Sequence, residues 1–182
     1  MARLSSDTAT SERRGGVALR RAMLAGACAL SFAGPPQSAD AANRVRISGL
    51  ADVAFGSIPS LTVDSVQSQS ICLYSKSPPA NNYSITASGS GPGGAFVLSS
   101  ASGTLPFEVQ WSDTPGQTGG FSLVANQALA GQHSSAGGGS VDDCSSGPAS
   151  TASLIIILRS AALGAALSGT YTGTLNLLVP PE

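Results

Sequence analysis

The sequence predicts an all-β protein, a sandwich of short strands that follows a cleaved N-terminal signal peptide. Two observations support this fold class. After residue 41, apolar residues occur in short, evenly spaced bursts, and clusters of Gly, Pro, Asn and Ser separate the bursts. Before residue 41, a basic region precedes a short apolar run, as in an export signal. The sequence therefore predicts a signal peptide over residues 1–41 and one domain over residues 42–182.

The signal peptide is predicted from three features of the N-terminal segment. A basic region ends at Arg20-Arg21, and residues 22–33 form an uncharged, largely apolar run that is too short to span a bilayer. The tripeptide Ala39-Asp40-Ala41 has the small-x-small pattern of a cleavage site, which places the cut between Ala41 and Ala42. The paired arginines also loosely fit a twin-arginine signal, so the sequence leaves the export route open.

Most strands of the domain are predicted from period-two alternation, in which every second side chain faces the core. The candidate segments, in chain order, are Val45–Ile47, Val53–Phe55, Ile71–Ser75, Tyr83–Ala87, Ala95–Leu98, Phe107–Trp111 and Phe121–Val124. Turn-forming clusters such as Ser77–Asn82 and Asp113–Gly120 separate them. The segment Gln127–Pro148 is predicted to be the least ordered, because it contains the run Gly137-Gly138-Gly139.

The C-terminal part of the chain supplies two further predicted strands. Three consecutive isoleucines favour a buried strand over residues 152–159, and the charge of Arg159 argues against a transmembrane helix there. Residues 160–168 are predicted to be a connection. The last strand lies within residues 169–179, where alternate residues share one face, and Pro180-Pro181 ends it because proline cannot donate to a ladder.

Charge is sparse in the predicted domain. Residues 42–182 contain four cations and seven carboxylate side chains, so the formal net charge is 4 − 7 = −3. The cations are Arg44, Arg46, Lys76 and Arg159. Because they are scattered along the sequence, no basic patch is predicted, and binding to nucleic acid or to an anionic membrane has no electrostatic support.

The cysteines point to one disulfide. Of the three, Cys28 lies within the predicted signal peptide, which leaves Cys72 and Cys144 as an even pair in an exported chain. We predict that these two residues are bonded to each other. A disulfide that closes a loop of about 70 residues is worth roughly 4 kcal/mol in the chain-entropy model.

The sequence offers no set of residues that predicts catalysis, a metal site or a cofactor. His133 is the only histidine, and it stands in a Gly/Ser/Ala-rich segment without a nucleophile elbow elsewhere in the chain. Asp142-Asp143 lacks the spacing of a calcium loop, so we interpret it as a polar turn. Tyr83 and Trp111 could line a sugar site, but their alternating strands favour a place in the core. We therefore expect a protein that is not an enzyme and binds no cofactor.

Five segments of the sequence, taken in order, match the pattern of a known protein family. They are Phe55-Gly56 after an apolar pair, Cys72 at the start of a strand segment, Tyr83–Gly91, Leu105–Asp113 and Gly169–Leu177. Together they resemble the spore coat protein U domain, a family of secreted subunits of archaic chaperone–usher pili. The resemblance covers most of residues 47–182.

The resemblance implies an immunoglobulin-like β-sandwich that is incomplete, with an open groove where one strand is missing. In that family a periplasmic chaperone, and then the neighbouring pilus subunit, supplies the strand, and an outer-membrane usher assembles the fibre. It implies secretion through the inner membrane to the periplasm, a final place at the cell surface or fimbrium, and a role in adhesion or biofilm formation. The sparse charge and the position of Arg159 give no reason to expect nucleic acid as a partner or a transmembrane segment in the mature chain.

The chain departs from the family pattern at its N-terminal end. Only residues 42–54 lie between the predicted cut and Phe55, which is little room for a free donor strand and a first sandwich strand. Val45 and Ile47 form a minimal donor strand or, equally, part of the first strand. We therefore hypothesise an accessory, terminating or tip-like subunit that accepts a strand but donates one poorly.

Two alternative functions stay open on the sequence. One is a self-contained secreted β-sandwich that binds a glycan or a protein. The other is a small periplasmic hydrolase that uses His133.

Overall fold

The computed structural model describes residues 43–77, 79–135, 144 and 150–182. The predicted cleavage site at Ala41 and Ala42 and the pair Asp142-Asp143 lie outside these residues. The strands are β1 (Arg44–Ser48), β2 (Ser65–Lys76), β3 (Asn82–Gly89), β4 (Val97–Ser100), β5 (Gly103–Pro106), β6 (Glu108–Ser112), β7 (Phe121–Ser122), β8 (Ala128–His133), β9 (Ala152–Leu158) and β10 (Leu175–Leu178). A short helix, α1 (Ser160–Ala165), and a 3-10 turn (Pro92–Gly94) complete the regular structure of the described residues.

The strands form two main antiparallel sheets and one separate hairpin. The larger sheet has the order β1-β2-β9-β6-β7, the smaller sheet has the order β10-β3-β8, and β4 pairs with β5. Between β7 and β8, the N–H of Leu123 bonds to Val109 in the first sheet and the N–H of Asn126 bonds to Ala87 in the second. The chain therefore crosses between the sheets on that side, and the all-β sandwich is confirmed.

The centre of the sandwich is an aromatic pair from the two sheets. Trp111 of β6 and Tyr83 of β3 are 0% and 1% exposed and pack edge to face, with ring centroids 6.3 Å apart. The indole N–H of Trp111 donates to the Tyr83 hydroxyl over 2.9 Å, and burial raises the pKa of that phenol well above its ordinary value. Both residues belong to the core, as predicted, and neither lines a surface sugar site.

Several strands lie where alternation or residue type predicted them. The bounds of β3, β6 and β9 agree with those of the predicted segments to within two residues. The central β9 is buried on both faces, as its isoleucines indicated.

The prediction for residues 160–168 was wrong in part, because residues 160–165 form α1. The N–H of Leu163 bonds to the carbonyl of Arg159, and Leu163 is buried in the core.

The segment predicted to be least ordered contains a strand. β8 pairs antiparallel with β3, with a register shift between Tyr83 and Ile85. Its alternation is weak in the sequence because Gly131, at φ +70°, interrupts the pattern. β8 is a strand because the edge of β3 supplies its hydrogen-bond partners, although the sequence of the segment does not predict a strand. His133 accordingly lies on a strand rather than in a loop.

Residues 49–64 form a long connection without a strand, although Val53–Phe55 was predicted to be one. Phe55 and Ile58 nevertheless pack against the buried core. A side chain substitutes for a strand partner here, since the amide of Gln69 accepts from the N–H of Ala51 over 3.0 Å and donates to its carbonyl over 3.2 Å.

The end of the chain follows β3 beyond the two prolines. The regular strand is shorter than predicted, because Thr172 exchanges both backbone hydrogen bonds with Ser99 of β4 instead. Past β10, the N–H of Ser84 donates to Pro180 over 3.1 Å, and the N–H of Glu182 donates to Asn82 over 3.0 Å. Proline lacks a donor but keeps its carbonyl, so the ladder continues through accepted bonds.

One cation joins three separate elements at the sandwich surface. Arg159, at the end of β9, bonds to Asp64 over 2.8 Å and also to Glu108 of β6. The N–H of Ser160 donates to Asp64 over 2.8 Å. That backbone bond, and then Arg159, hold the pKa of Asp64 below its ordinary value, and Arg159 lowers the pKa of Glu108.

The aromatic pair yields a stability prediction. Tyr83→Phe removes the acceptor of the Trp111 indole N–H and leaves a buried donor unpaired, so we expect a loss of about 1–3 kcal/mol of unfolding free energy. The matched control is Tyr171→Phe, whose hydroxyl bonds to Leu167 at an exposed position. Urea denaturation followed by tryptophan fluorescence measures both variants. Equal effects in the two variants would contradict the buried bond.

The surface cluster yields a pH prediction. Because the folded-state pKa values of Asp64 and Glu108 are depressed, their stabilisation is present at neutral pH and is lost as the pH falls through the folded values, below the ordinary 3.8 and 4.5. Arg159→Gln should therefore lower the melting temperature at pH 7 and make little difference near pH 3. The control Arg44→Gln removes a cation from an edge strand. A deficit of Arg159→Gln that is the same at both pH values would contradict the assignment.

Candidate functional site

The candidate site is the free edge of β10. Within the described residues, β10 lies at the end of its sheet and pairs with β3 alone. A strand edge of this kind presents a row of N–H and C=O groups that can pair with another chain.

The register of β10 on β3 shows which of its backbone groups are free. Leu177 lies opposite Ala87, and the carbonyl of Ala87 accepts from Asn126 on the far side of β3. Further along, Pro180 and Glu182 make their backbone hydrogen bonds to β3. The direction of the backbone hydrogen bonds alternates along a strand. The backbone groups of even-numbered residues therefore bond to β3, and the backbone N–H and C=O groups of odd-numbered residues point to the open edge. The free N–H and C=O groups therefore belong to Leu175, Leu177 and Val179.

The same three residues direct their side chains toward the core. Leu175, Leu177 and Val179 are half-buried and pack against the buried cluster, whereas Leu178 on the opposite face is 66% exposed. Partial exposure of core-facing side chains at an edge leaves apolar surface that an additional strand would cover, at about 25 cal/mol for each Å². The edge thus combines unpaired backbone with incompletely covered apolar side chains.

The residues considered as a minimal donor strand lie in β1, at the edge of the other sheet. Val45 pairs with Ser75 and Ile47 with Leu73 of the chain's own β2. The N–H groups of Leu73 and Ser75 bond to side chains on the other side of β2, so even-numbered residues of β1 make its ladder. Val45 and Ile47 therefore carry free backbone groups, and their half-buried side chains share the face of Leu73.

A disulfide anchors the sheet beside β1. Cys72 of β2, opposite Ser48, is bonded to Cys144, with Cα atoms 5.8 Å apart and a sequence separation of 72. Both residues are buried. The bond ties residue 144, the one described residue between 135 and 150, to the β1–β2 pair.

The structure does not bring His133 into a catalytic arrangement with any of the described residues. His133 is exposed on β8, where its backbone lies opposite Asn82. Among the described residues, no group of three or more His, Cys, Asp or Glu could hold a metal ion. None of the described helices is long and apolar enough to cross a membrane.

The interpretation of the cations as scattered was wrong for three of them. Arg44 lies directly opposite Lys76, and the neighbouring pair on the same outer face is Arg46 opposite Tyr74. Alternation along β1 indicates that its two arginines share a face. The pairing of β1 with β2 places Lys76 and Tyr74 beside these arginines on the same face. The register of that pairing cannot be read from a single sequence.

Comparison with known proteins finds structural similarity at low sequence identity. No family model matches the chain, and no curated protein matches it. One similar solved structure belongs to a chaperone–tip adhesin complex of CFA/I fimbriae biogenesis, with 13% sequence identity and a TM-score of 0.48. The match covers 77% of this chain and 41% of that one, so this chain spans less than half of its neighbour's length. A similarity of this size carries no argument about function.

Proposed function

We propose that this protein is an exported, non-enzymatic, pilus-like structural subunit whose sandwich accepts a β-strand from another chain at the free edge of β10. The observation that carries the proposal is the coincidence at Leu175, Leu177 and Val179. Each of these residues has free backbone groups at the edge and a half-buried apolar side chain facing the core. An added strand would satisfy both at once.

The physical basis is β-augmentation. An extended segment beside β10 forms main-chain hydrogen bonds with the three free residues, which supply affinity. Its alternate side chains enter the space beside the half-buried leucines, which supplies specificity. A donor with apolar residues at every second position matches this edge.

The partners follow from the resemblance to the spore coat protein U domain. We propose that a periplasmic chaperone supplies the first strand, that an outer-membrane usher exchanges it, and that a neighbouring pilus subunit provides the final one. This route requires the signal peptide of residues 1–41 and cleavage between Ala41 and Ala42. It leads to the cell surface, where the fibre would serve adhesion or biofilm formation.

The position of β1 supports a subunit that accepts a strand better than it donates one. Val45 and Ile47 already belong to a five-residue strand paired with β2, so releasing them as a donor would break that ladder. The protein would then occupy an accessory or terminal place in a fibre. Self-polymerisation of the purified protein through its N-terminus would contradict this part of the proposal.

Strand acceptance can be tested with a labelled peptide of about ten residues in which Val alternates with Thr or Lys, a length that matches one extended strand. The protein is expressed from its full-length gene into the periplasm and purified, and binding is followed by fluorescence anisotropy. We expect saturable binding and protection of β10 from amide exchange. A peptide of the same length with Pro at alternate positions should not bind, because proline cannot donate to a ladder.

A matched pair of variants locates the binding edge. Leu177→Thr removes an apolar side chain from the core-facing row, whereas Leu178→Thr makes the same change on the exposed face one residue away. We expect Leu177→Thr to weaken peptide binding by about tenfold, because the added strand would complete the burial of this half-buried leucine and full burial is worth roughly 1.5–3 kcal/mol. Leu178→Thr should change binding little. Absence of peptide binding, or equal losses in the two variants, would favour a self-contained sandwich instead.

A further inference from the structure

The outer face of the β1–β2 pair concentrates most of the positive charge of the described chain. Arg44 and Lys76 are exposed and directly opposite each other, and Arg46 faces Tyr74 in the next pair. Arg159 is the remaining cation of the described residues, and it is held by Asp64 and Glu108 elsewhere on the sandwich.

The repulsion between Arg44 and Lys76 does not help the protein to fold. Like charges directly opposite on two strands destabilise the pair, and an acidic residue at either position would have given an attractive pair instead. The arrangement occurs at an edge, where charged side chains discourage sheet-to-sheet pairing. An anionic ligand bound between the two cations would be attracted by both of them and would offset their mutual repulsion.

A shallow cleft adjoins the cations. It has a volume of about 290 Å³ and is lined by Asn43, Arg44, Val45, Arg46 and Tyr74. The half-buried Tyr74 gives the cleft a rigid, amphipathic ring, and Asn43 gives it an amide. Arg46 already makes an interaction within the protein, so Arg44, Lys76 and Tyr74 carry the argument.

We propose that this outer-face cleft binds an acidic carbohydrate, a chain of uronic acid residues. The guanidinium of Arg44 matches a carboxylate in a bidentate manner, and Lys76 supplies a second point charge. The ring of Tyr74 packs against the apolar C–H face of a sugar. Arg44, Lys76 and Tyr74 lie on the opposite face of the sheet from the core and in a different sheet from β10, so the site does not depend on strand acceptance at β10.

Carbohydrate fits this surface better than a membrane or a nucleic acid. The large exposed apolar side chains of the described residues lie outside β1 and residues 72–76, so nothing on this face would insert into lipid. Two cations and one ring, on a domain with a formal net charge of −3, are too few for an extended phosphate backbone.

The test is calorimetric titration of the purified full-length gene product with tetragalacturonate, and with uncharged maltotetraose as the neutral control. We expect tetragalacturonate alone to bind. Binding should weaken several-fold between about 50 and about 500 mM NaCl, because salt screens exposed charges. Arg44→Ala and Lys76→Ala should each weaken binding by about tenfold, the loss expected for one charged hydrogen-bonding partner.

The controls separate a built site from general attraction. Lys76→Arg keeps the charge and should retain binding, and Tyr74→Phe should bind better than Tyr74→Leu. The double variant Ser122→Glu/Ala128→Glu changes the net charge by the same amount as Arg44→Ala/Lys76→Ala, at exposed positions in β7 and β8, and should leave binding within about twofold.

Stability measurements give an independent readout. Because the opposed cations repel each other, Arg44→Ala and Lys76→Ala should raise the melting temperature or leave it unchanged while binding is lost. Equal binding of maltotetraose would overturn the proposal. So would full binding by the Arg44→Ala/Lys76→Ala variant, or preference for anionic phosphatidylglycerol vesicles or single-stranded DNA over tetragalacturonate.

Discussion

The structure depends on one geometric constraint of β-strands. Side chains alternate between the two faces of a strand, and backbone hydrogen-bonding groups alternate between its two edges with the same period. At an edge strand, the residues with free backbone groups therefore all have their side chains on one face. In β10 and in β1 that face is the core, so Leu175, Leu177, Val45 and Ile47 combine unpaired N–H and C=O groups with half-buried apolar side chains. If these residues had faced outward instead, their free backbone groups would have been accompanied by solvent-exposed side chains, not by half-buried apolar ones.

The core and the open edges have different energetic roles. Tyr83 and Trp111 join the two sheets through a buried contact and a hydrogen bond, and the disulfide of Cys72 ties a distant segment to the β1–β2 pair. These interactions do not involve β10, whose core-facing apolar side chains are half-buried. A stable core with an incompletely covered edge is the arrangement that β-augmentation requires, and the exposed cations Arg44 and Lys76 lie on the outer face of the other sheet.

Sequence reasoning succeeded where local pattern and tertiary environment agreed. β3 and β6 alternate cleanly, and the isoleucines of β9 favour a strand that is buried on both faces. It failed where partners decide the structure. β8 is a strand because β3 offers it an edge, residues 49–64 lack a strand because Gln69 takes the partner's place at Ala51, and the last strand is short because Thr172 pairs with β4. The candidate edge itself required the register of β10 on β3, which no single sequence contains.

The most direct measurement is residue-resolved hydrogen exchange of the backbone amides along β10 in the free protein. The edge proposal predicts that Asn176 and Leu178, which bond to β3, exchange at least about a hundredfold more slowly than Leu175, Leu177 and Val179. That alternating pattern, lost when a strand peptide binds, would establish an open acceptor edge. Uniform protection of all five amides in the free protein would show that another strand already covers the edge and would contradict the proposed function.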